Sequence, residues 1–297
     1  MMEARSSGRV VPLRQSAPER SLLMRFRFPA ILAVAVCLVQ VGHGQDAPIS
    51  NSPPGETQAN TTGASADVDR SITLKGLIPN VIEDQKQIYW TFPGQLARGK
   101  HWMPFAGVLA VTGVLIAADQ FDAPYFRHSS TYNGFNRAFS GTNAALATYL
   151  TPLALYGGGL IAKDSYAQKT ALLAGEALAD SEILDEVLKL STRRARPSSI
   201  SPDRNFADTW FDSKGITEGG FPSGHTIAAF SVATVFSERY GRRHRWVPYV
   251  AYGLAGAIGF SRMSLSAHFP SDVFLGAALG YAVSHFAVLH SPQRVQD

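Results

Sequence analysis

The sequence predicts an all-α protein, a helical bundle of about six core helices. Two observations carry that expectation. Long apolar stretches are punctuated by Gly, Pro and polar breakers, and no stretch shows the apolar/polar alternation or hairpin turn signals of strands. A chain of 297 residues that is 45% hydrophobic can bury one large core or two small ones.

The elements follow in order. Residues 1–27 hold six Arg against Glu3 and Glu19, which accounts for the whole net charge of +4. The remainder is neutral, so a nucleic-acid reading based on a basic isoelectric point fails. Residues 24–44 have a secretory layout: Arg25 and Arg27, an apolar run from Pro29 to Val41, then Gly42-His43-Gly44 where a signal peptidase cuts. Met24 offers an alternative start, and an uncleaved anchor is the competing reading. Cys37 is the single cysteine and falls inside the apolar run, so no intrachain disulfide is available. Residues 1–44 are thus read as leader and signal peptide. Residues 45–71 are small and polar, a flexible linker. Residues 72–100 mix apolar and charged side chains and predict an amphipathic covering segment. Within 101–290, helices are expected over 102–118, 142–162, 167–193, 224–239, 246–263 and 271–289.

Membrane placement is contested within the sequence. Asn143 to Ala162 is uncharged and long enough to span. The next helix carries Glu176, Asp180, Glu182, Asp185 and Glu186, which are expensive in lipid. If all six helices span, the loop at Arg239, Arg242, Arg243 and Arg245 is cytoplasmic by the positive-inside rule, yet a cleaved signal would leave residue 45 on the wrong side for that topology. An exported, periplasmic or extracytoplasmic bundle resting on the membrane removes the conflict and is the preferred reading. An integral inner-membrane protein is the alternative.

Three clusters carry chemistry. The first is Lys189 with Arg196-Pro197, seven residues or nearly two helical turns apart, so both cations share a face if the helix runs on. Ordinary dipole partners at a helix end explain them equally well. The second is Gly219-Gly220-Phe221-Pro222-Ser223-Gly224-His225 before an apolar run. Ser223 is a natural N-cap, the helix start offers N–H groups to an anion, and His225 sits in the first turn. A capped helix with a surface histidine is the plainer alternative. The third is Ser261-Arg262, His268 and Asp272. A carboxylate accepting from one imidazole nitrogen leaves the other free as a nucleophile, while Asp272 as a mere helix-start acid is the plain version.

Each cluster alone is ambiguous; together they supply three cations, a backbone anion nest, two histidines and a carboxylate, the set that phosphoryl transfer needs. The combination Lys189-x6-Arg196-Pro197, Pro222-Ser223-Gly224-His225 and Ser261-Arg262-x5-His268-x3-Asp272 resembles the tripartite signature of the type-2 phosphatidic acid phosphatase and vanadium haloperoxidase superfamily, over roughly residues 100–290. The resemblance implies that His268 attacks phosphorus, that Asp272 orients it, and that His225 protonates the leaving group. It implies that Lys189, Arg196, Arg262, Ser223 and the Gly224 amide hold the phosphate. It also implies a helical bundle and, for the phosphatase branch, no metal or cofactor. The expected partner is a phosphorylated lipid, such as phosphatidate or a polyprenyl diphosphate, or a small phosphomonoester, with no nucleic acid. Contact with a membrane surface or bilayer stays open. A vanadate-dependent haloperoxidase and a non-catalytic phospholipid-binding protein are the competing functions.

Other polar residues are read as structural. Asp119 and Asp122 follow an apolar helix and are expected in an exposed loop. Arg193 and Arg194 either widen the positive field or cap a solvated helix end. His128, His244, His285 and His290 show no partners at metal-ligand spacing. Trp210 and Phe211 are expected as a substrate wall or as core. Specificity is expected in the loops at 119–140 and 198–221.

Overall fold

The computed structural model describes residues 72–128, 130–201, 208–213 and 218–291. The leader, Cys37, the linker and parts of the 198–221 loop lie outside these residues. Among the described residues the fold is all helical, as expected.

A 3₁₀ turn, Leu74–Gly76, leads into α1 (Leu77–Lys86), a π-helical turn at Gln87–Thr91 and α2 (Phe92–Ala97). This is the covering segment. The Thr73 side chain accepts the Gly76 N–H at its start. It lies on the helix that carries the acids: Gln85 Nε2 donates to Asp180 Oδ1 at 2.8 Å, and Asn80 Nδ2 to Glu176 Oε2 at 3.5 Å. Glu176 and Asp180 are therefore buried beneath a polar cover. Glu176, Asp180 and Asp185 point inward, and only Glu182 and Glu186 of the five acids keep partly exposed side chains.

Next come α3 (Trp102–His128), α4 (Asn133–Ala138) and α5 (Gly141–Ala162). Here the expected loop after residue 118 is corrected. The helix runs ten residues further and passes through Pro124. Proline forfeits only its own N–H bond, and Asp119 is held by buried partners rather than by water. Most of the anticipated 119–140 loop is consequently helix.

Ser140 caps α5 through the Asn143 N–H, and the helix ends at left-handed Lys163. Asp164 then caps α6 (Ser165–Thr192), accepting the N–H groups of Tyr166 and Ala167 at 2.9 and 3.0 Å. The remaining elements are α7 (Gly224–Tyr240), α8 (Val247–Ser264) and α9 (Pro270–Ala282), the last extended by a π-helical segment, Val283–Leu289. Pro270 opens α9 at its first position, where a missing N–H costs nothing.

The central helix is α7, packed by α6, α8, α9 and α5. Val232, Val235 and Phe236 on it pack with Ala174, Ala177 and Leu178 of α6. Each large aliphatic buried in this way contributes about 1.5–3 kcal/mol. Two glycines let α9 close on α7. A Cβ at Gly276 would fall 2.9 Å from the Ser223 carbonyl, and one at Gly280 would fall 2.3 Å from that of Ile227. Hydroxyls inside cross-link the helices: Ser181 Oγ lies 2.5 Å from Ser231 Oγ, and Ser284 Oγ donates to the Ser231 carbonyl.

The periphery has the opposite character. Trp102–Phe121, Gly141–Ala162 and Pro270–Leu289 are each long and apolar enough to cross a membrane. On α3 and α5, Met103, Val114, Phe121, Leu153 and Ile161 are exposed, Ile161 by 88%. A polar interior under an apolar surface is the pattern of a membrane-associated protein.

Candidate active site

The site begins where α6 stops. Arg193 adopts a left-handed conformation at the C-cap and returns its N–H to the Lys189 carbonyl. The chain then runs extended, the Ala195 N–H donating to the Thr209 carbonyl and the Gly220 N–H to the Arg194 carbonyl. Arg196 is extended before Pro197, as proline requires of its predecessor. Lys189 and Arg196 are therefore not on one helical face, which corrects the spacing argument. They reach the site from two sides of a chain reversal.

Lys189 is buried and paired with Asp185, one turn earlier, with Glu186 Oε1 at 3.6 Å. Burial pushes the Asp185 carboxyl up to about 6 against the pull of Lys189. This pair lies against the start of α7. A Cβ on Gly224 would sit 2.6 Å from Asp185 Oδ2 and 3.1 Å from Lys189 Nζ, so only glycine admits the contact. Half-buried Arg196 faces His268 and has a buried Nε with no hydrogen-bond partner.

Ser223 is the N-cap of α7 by position, but its side chain makes no capping bond. It is fully buried; its Oγ accepts from Thr226 Oγ1 at 2.9 Å and its N–H donates to the Asp272 carbonyl at 3.0 Å. The anticipated capping geometry is thus corrected, because Ser223 ties α7 to α9. Gly224 and His225 supply the first-turn amides. His225 Nε2 lies 3.1 Å from the Gly141 carbonyl at the start of α5, an acceptor, so that nitrogen carries the proton. Burial first, and the Arg262 charge second, push its pKa down to about 4.

Arg262, in the last turn of α8, is buried. Its Nη2 donates to the Phe139 carbonyl at 2.5 Å and to Ser261 Oγ at 2.7 Å. Nη1 points toward Gly141, where a Cβ would be 3.2 Å from Nη1 and 3.8 Å from His225 Nε2. Gly141 is thus the narrow point between one cation and one imidazole.

His268 is buried in the turn before α9, its N–H donating to the Arg262 carbonyl at 3.2 Å. Its Nδ1 lies 2.7 Å from the Gly220 carbonyl and 3.7 Å from Asp272 Oδ2. Asp272 was expected to accept the imidazole proton; the closer acceptor is Gly220. Asp272 Oδ2 instead takes the Phe269 N–H at 2.7 Å and its Oδ1 takes Arg194. Both groups facing Nδ1 are acceptors, so the proton resides there and Nε2 keeps its lone pair. Burial lowers the pKa of His268, with Asp272 opposing, which favours the neutral ring.

Beneath these residues lies a group that sequence reasoning missed. Arg194 is 1% exposed, not a solvated helix end. Nη1 donates to Asp272 Oδ1 and Ser271 Oγ, each at 2.7 Å, and Nη2 to Asp119 Oδ2 at 2.7 Å. Nε reaches Thr209 Oγ1 at 3.1 Å. Its guanidinium stacks over Phe269 at 4.1 Å and Trp210 at 4.7 Å. Asp119 also accepts the Ser271 N–H, so two carboxylates sit at the positive end of α9. Trp210 belongs to this packing, whereas Phe211 is exposed. Asp119 is buried rather than in an exposed loop; the Asp122 side chain lies outside the described residues.

The structure thus brings Lys189, Arg196, His225, Arg262, His268 and Asp272 to one end of the bundle, with Gly224 at its floor and Ser223 behind it. A small recess touches His268 through Phe126, Pro197, Met263, Ser266 and Phe269. No cation lines it, so it is distinct from the anion cradle. His285 and His290 correct another expectation: both face Glu238 at the opposite end of α7.

A helical bundle whose central helix starts in a cluster of cations and two neutral imidazoles defines an anion-handling histidine site. Residues 170–296 match the family model of the PAP2 superfamily. Two lipid A 1-phosphatases are related in sequence. The one from Porphyromonas gingivalis is 42% identical over 69 residues, 23% of this chain and 16% of the relative. That from Rhizobium etli is 32% identical over 100 residues, 34% of this chain and 41% of the relative. The chain therefore spans less than half the length of these curated relatives. Among solved structures, a transmembrane PAP2-type phosphatidylglycerolphosphate phosphatase from Bacillus subtilis is 20% identical with a TM-score of 0.43, covering 61% of this chain and 92% of that one. The residues that match the family model hold all three motif clusters.

Proposed function

We propose that this protein is a metal-independent phosphatase that hydrolyses the phosphate or diphosphate monoester of a lipid through a phosphohistidine on His268. The observation that carries the reading is the pair of acceptors facing His268 Nδ1, which leaves the Nε2 lone pair on a ring faced by Arg196 and neighbouring His225, itself flanked by Arg262 and Lys189. In the first step Nε2 attacks phosphorus and the bond to the leaving oxygen breaks. His225 gives that oxygen a proton. The bound phosphate makes this proton available, because its negative charge favours the imidazolium against the burial and the Arg262 charge that hold the imidazole near pKa 4. In the second step His225 takes a proton from water, the hydroxide attacks phosphorus, and the P–N bond breaks. Phosphate leaves and His268 is regenerated. The cations and the first-turn amides of α7 stabilise the charge on the equatorial oxygens.

The lipid A 1-phosphatase relatives and the exposed apolar helices support a lipid phosphate as substrate. The secretory layout of residues 24–44 supports export, with the site outside the cytoplasm. The test is phosphate release from a panel containing lipid A, phosphatidate, a polyprenyl diphosphate and a soluble aryl phosphate, with EDTA present. Activity on a lipid substrate in EDTA, lost in His268→Ala, is expected. Activity that needs added metal, or that survives His268→Ala, overturns the mechanism.

A further inference from the structure

The far end of α7 carries a cluster that phosphate chemistry does not use. Glu238 is thirteen residues from His225, about 20 Å along the helix. It faces two histidines of the C-terminal segment. His285 Nδ1 lies 2.5 Å from Glu238 Oε1, and His290 Nδ1 lies 3.6 Å from Glu238 Oε2. One ligand atom from each residue falls within 4.8 Å of the others.

The π-helical segment explains the meeting. Five residues separate the histidines, a spacing that an α-helix spreads to different faces. The wider turn of Val283–Leu289 stacks them, with ring centroids 4.4 Å apart. The second sphere is built as well. His290 Nδ1 is 3.0 Å from the His285 carbonyl and 3.6 Å from Glu238 Oε2, so it meets the cluster through Nδ1 and exchanges the carbonyl contact for the ion. Tyr281 stacks on His285 at 5.3 Å. Gln87 donates to the Phe286 carbonyl at 3.0 Å and accepts from Ser291 at 2.6 Å, holding the backbone that presents both rings.

We propose that Glu238, His285 and His290 form a binding site for a zinc-class divalent transition metal. Two imidazole nitrogens and one carboxylate oxygen suit zinc, whereas calcium and magnesium prefer oxygen donors alone. The ion takes the place of the hydrogen between His285 Nδ1 and Glu238 Oε1, and in the neutral ring that proton moves to Nε2. His290 is 57% exposed at its side chain, which gives the ion entry and leaves a coordination position to water. The site clips the C-terminal segment to α7 and takes no part in phosphoryl transfer.

The test uses untagged full-length protein in detergent, stripped with EDTA and then dialysed. Zinc chloride is titrated by calorimetry in two buffers of different ionisation enthalpy, and cobalt chloride is followed by visible absorption. One equivalent of zinc per chain, with intense cobalt d–d bands, is expected. His290→Ala and Glu238→Gln should each bind about tenfold more weakly or worse while keeping wild-type helicity by circular dichroism. Absence of binding overturns the proposal. So does zinc retained equally by both variants, which would place it elsewhere, for instance at the buried carboxylates Asp84, Glu176 and Asp180.

Discussion

Arg194 and Arg196 stand two residues apart on one extended run, yet they belong to different layers. Around Arg194 the layer is closed: two carboxylates, two hydroxyls and two aromatic faces take up the guanidinium. Around Arg196 the layer is open, with a half-buried side chain, an unpartnered Nε, and His268 before it. The difference separates an arginine that builds from one that binds. A cation whose three nitrogens are each held by fixed carboxylates or hydroxyls has little left for a phosphate, and one with an idle donor does. His268 lies on the seam. Its turn is held from below by the Arg194–Asp272 pair, and its Nε2 belongs to the cradle above.

The largest effect is expected at that seam. His268→Ala should lower kcat by about a thousandfold or more and abolish any phosphoenzyme, measured by rapid quench with labelled substrate. Next come the two arginines, which give the sharpest contrast. Arg194→Met leaves Asp119 and Asp272 buried without their counter-ion, so it should lose about 3–5 kcal/mol of stability together with activity. Arg196→Met should lose activity about a hundredfold with stability changed by less than about 1 kcal/mol. Chemical denaturation alongside kinetics separates them. Equal stability losses would erase the distinction between layers.

For His225→Ala, the loss should be large with alkyl phosphates and small with aryl phosphates, whose leaving groups need no proton. An equal loss across leaving groups removes its role as acid. The smallest effect concerns pH. His225 has its pKa lowered to about 4 from an ordinary 6.5, so between those values the unfolded chain binds the proton first. Its contribution is present above the unfolded value and is lost as pH falls toward the folded one. Stability should drop more steeply from pH 7 to 4.5 in wild type than in His225→Gln. Saturating vanadate, an anion that favours the imidazolium, should flatten the wild-type slope.

The cradle was largely legible in the sequence because its chemistry is written in residue types. Lys189, Arg196, His225, Arg262, His268 and Asp272 carry their meaning wherever the chain places them, and helix starts at Ser223 and Pro270 follow local rules. The layer beneath was not legible. Asp119 meets Arg194 across 75 residues and Ser271 across 152, pairings that no local pattern encodes. Read locally, an aspartate after an apolar run resembles a helix end. The same limit assigned the His268 proton to Asp272 rather than to a main-chain oxygen of Gly220, whereas Asp185 stands one turn before Lys189, a pairing that local spacing does encode. The acids of α6 misled for a related reason: composition records their charge but not the face they occupy, and the covering segment hides Glu176 and Asp180 from any lipid. His285 and His290 escaped because a five-residue spacing has meaning only in a π-helical turn.

The covalent route through His268 is tested most directly by stereochemistry at phosphorus, using an isotopically chiral phosphorothioate ester. Two successive in-line displacements predict overall retention of configuration. Inversion would mean that water attacks the substrate in a single step, and that His268 never carries the phosphoryl group.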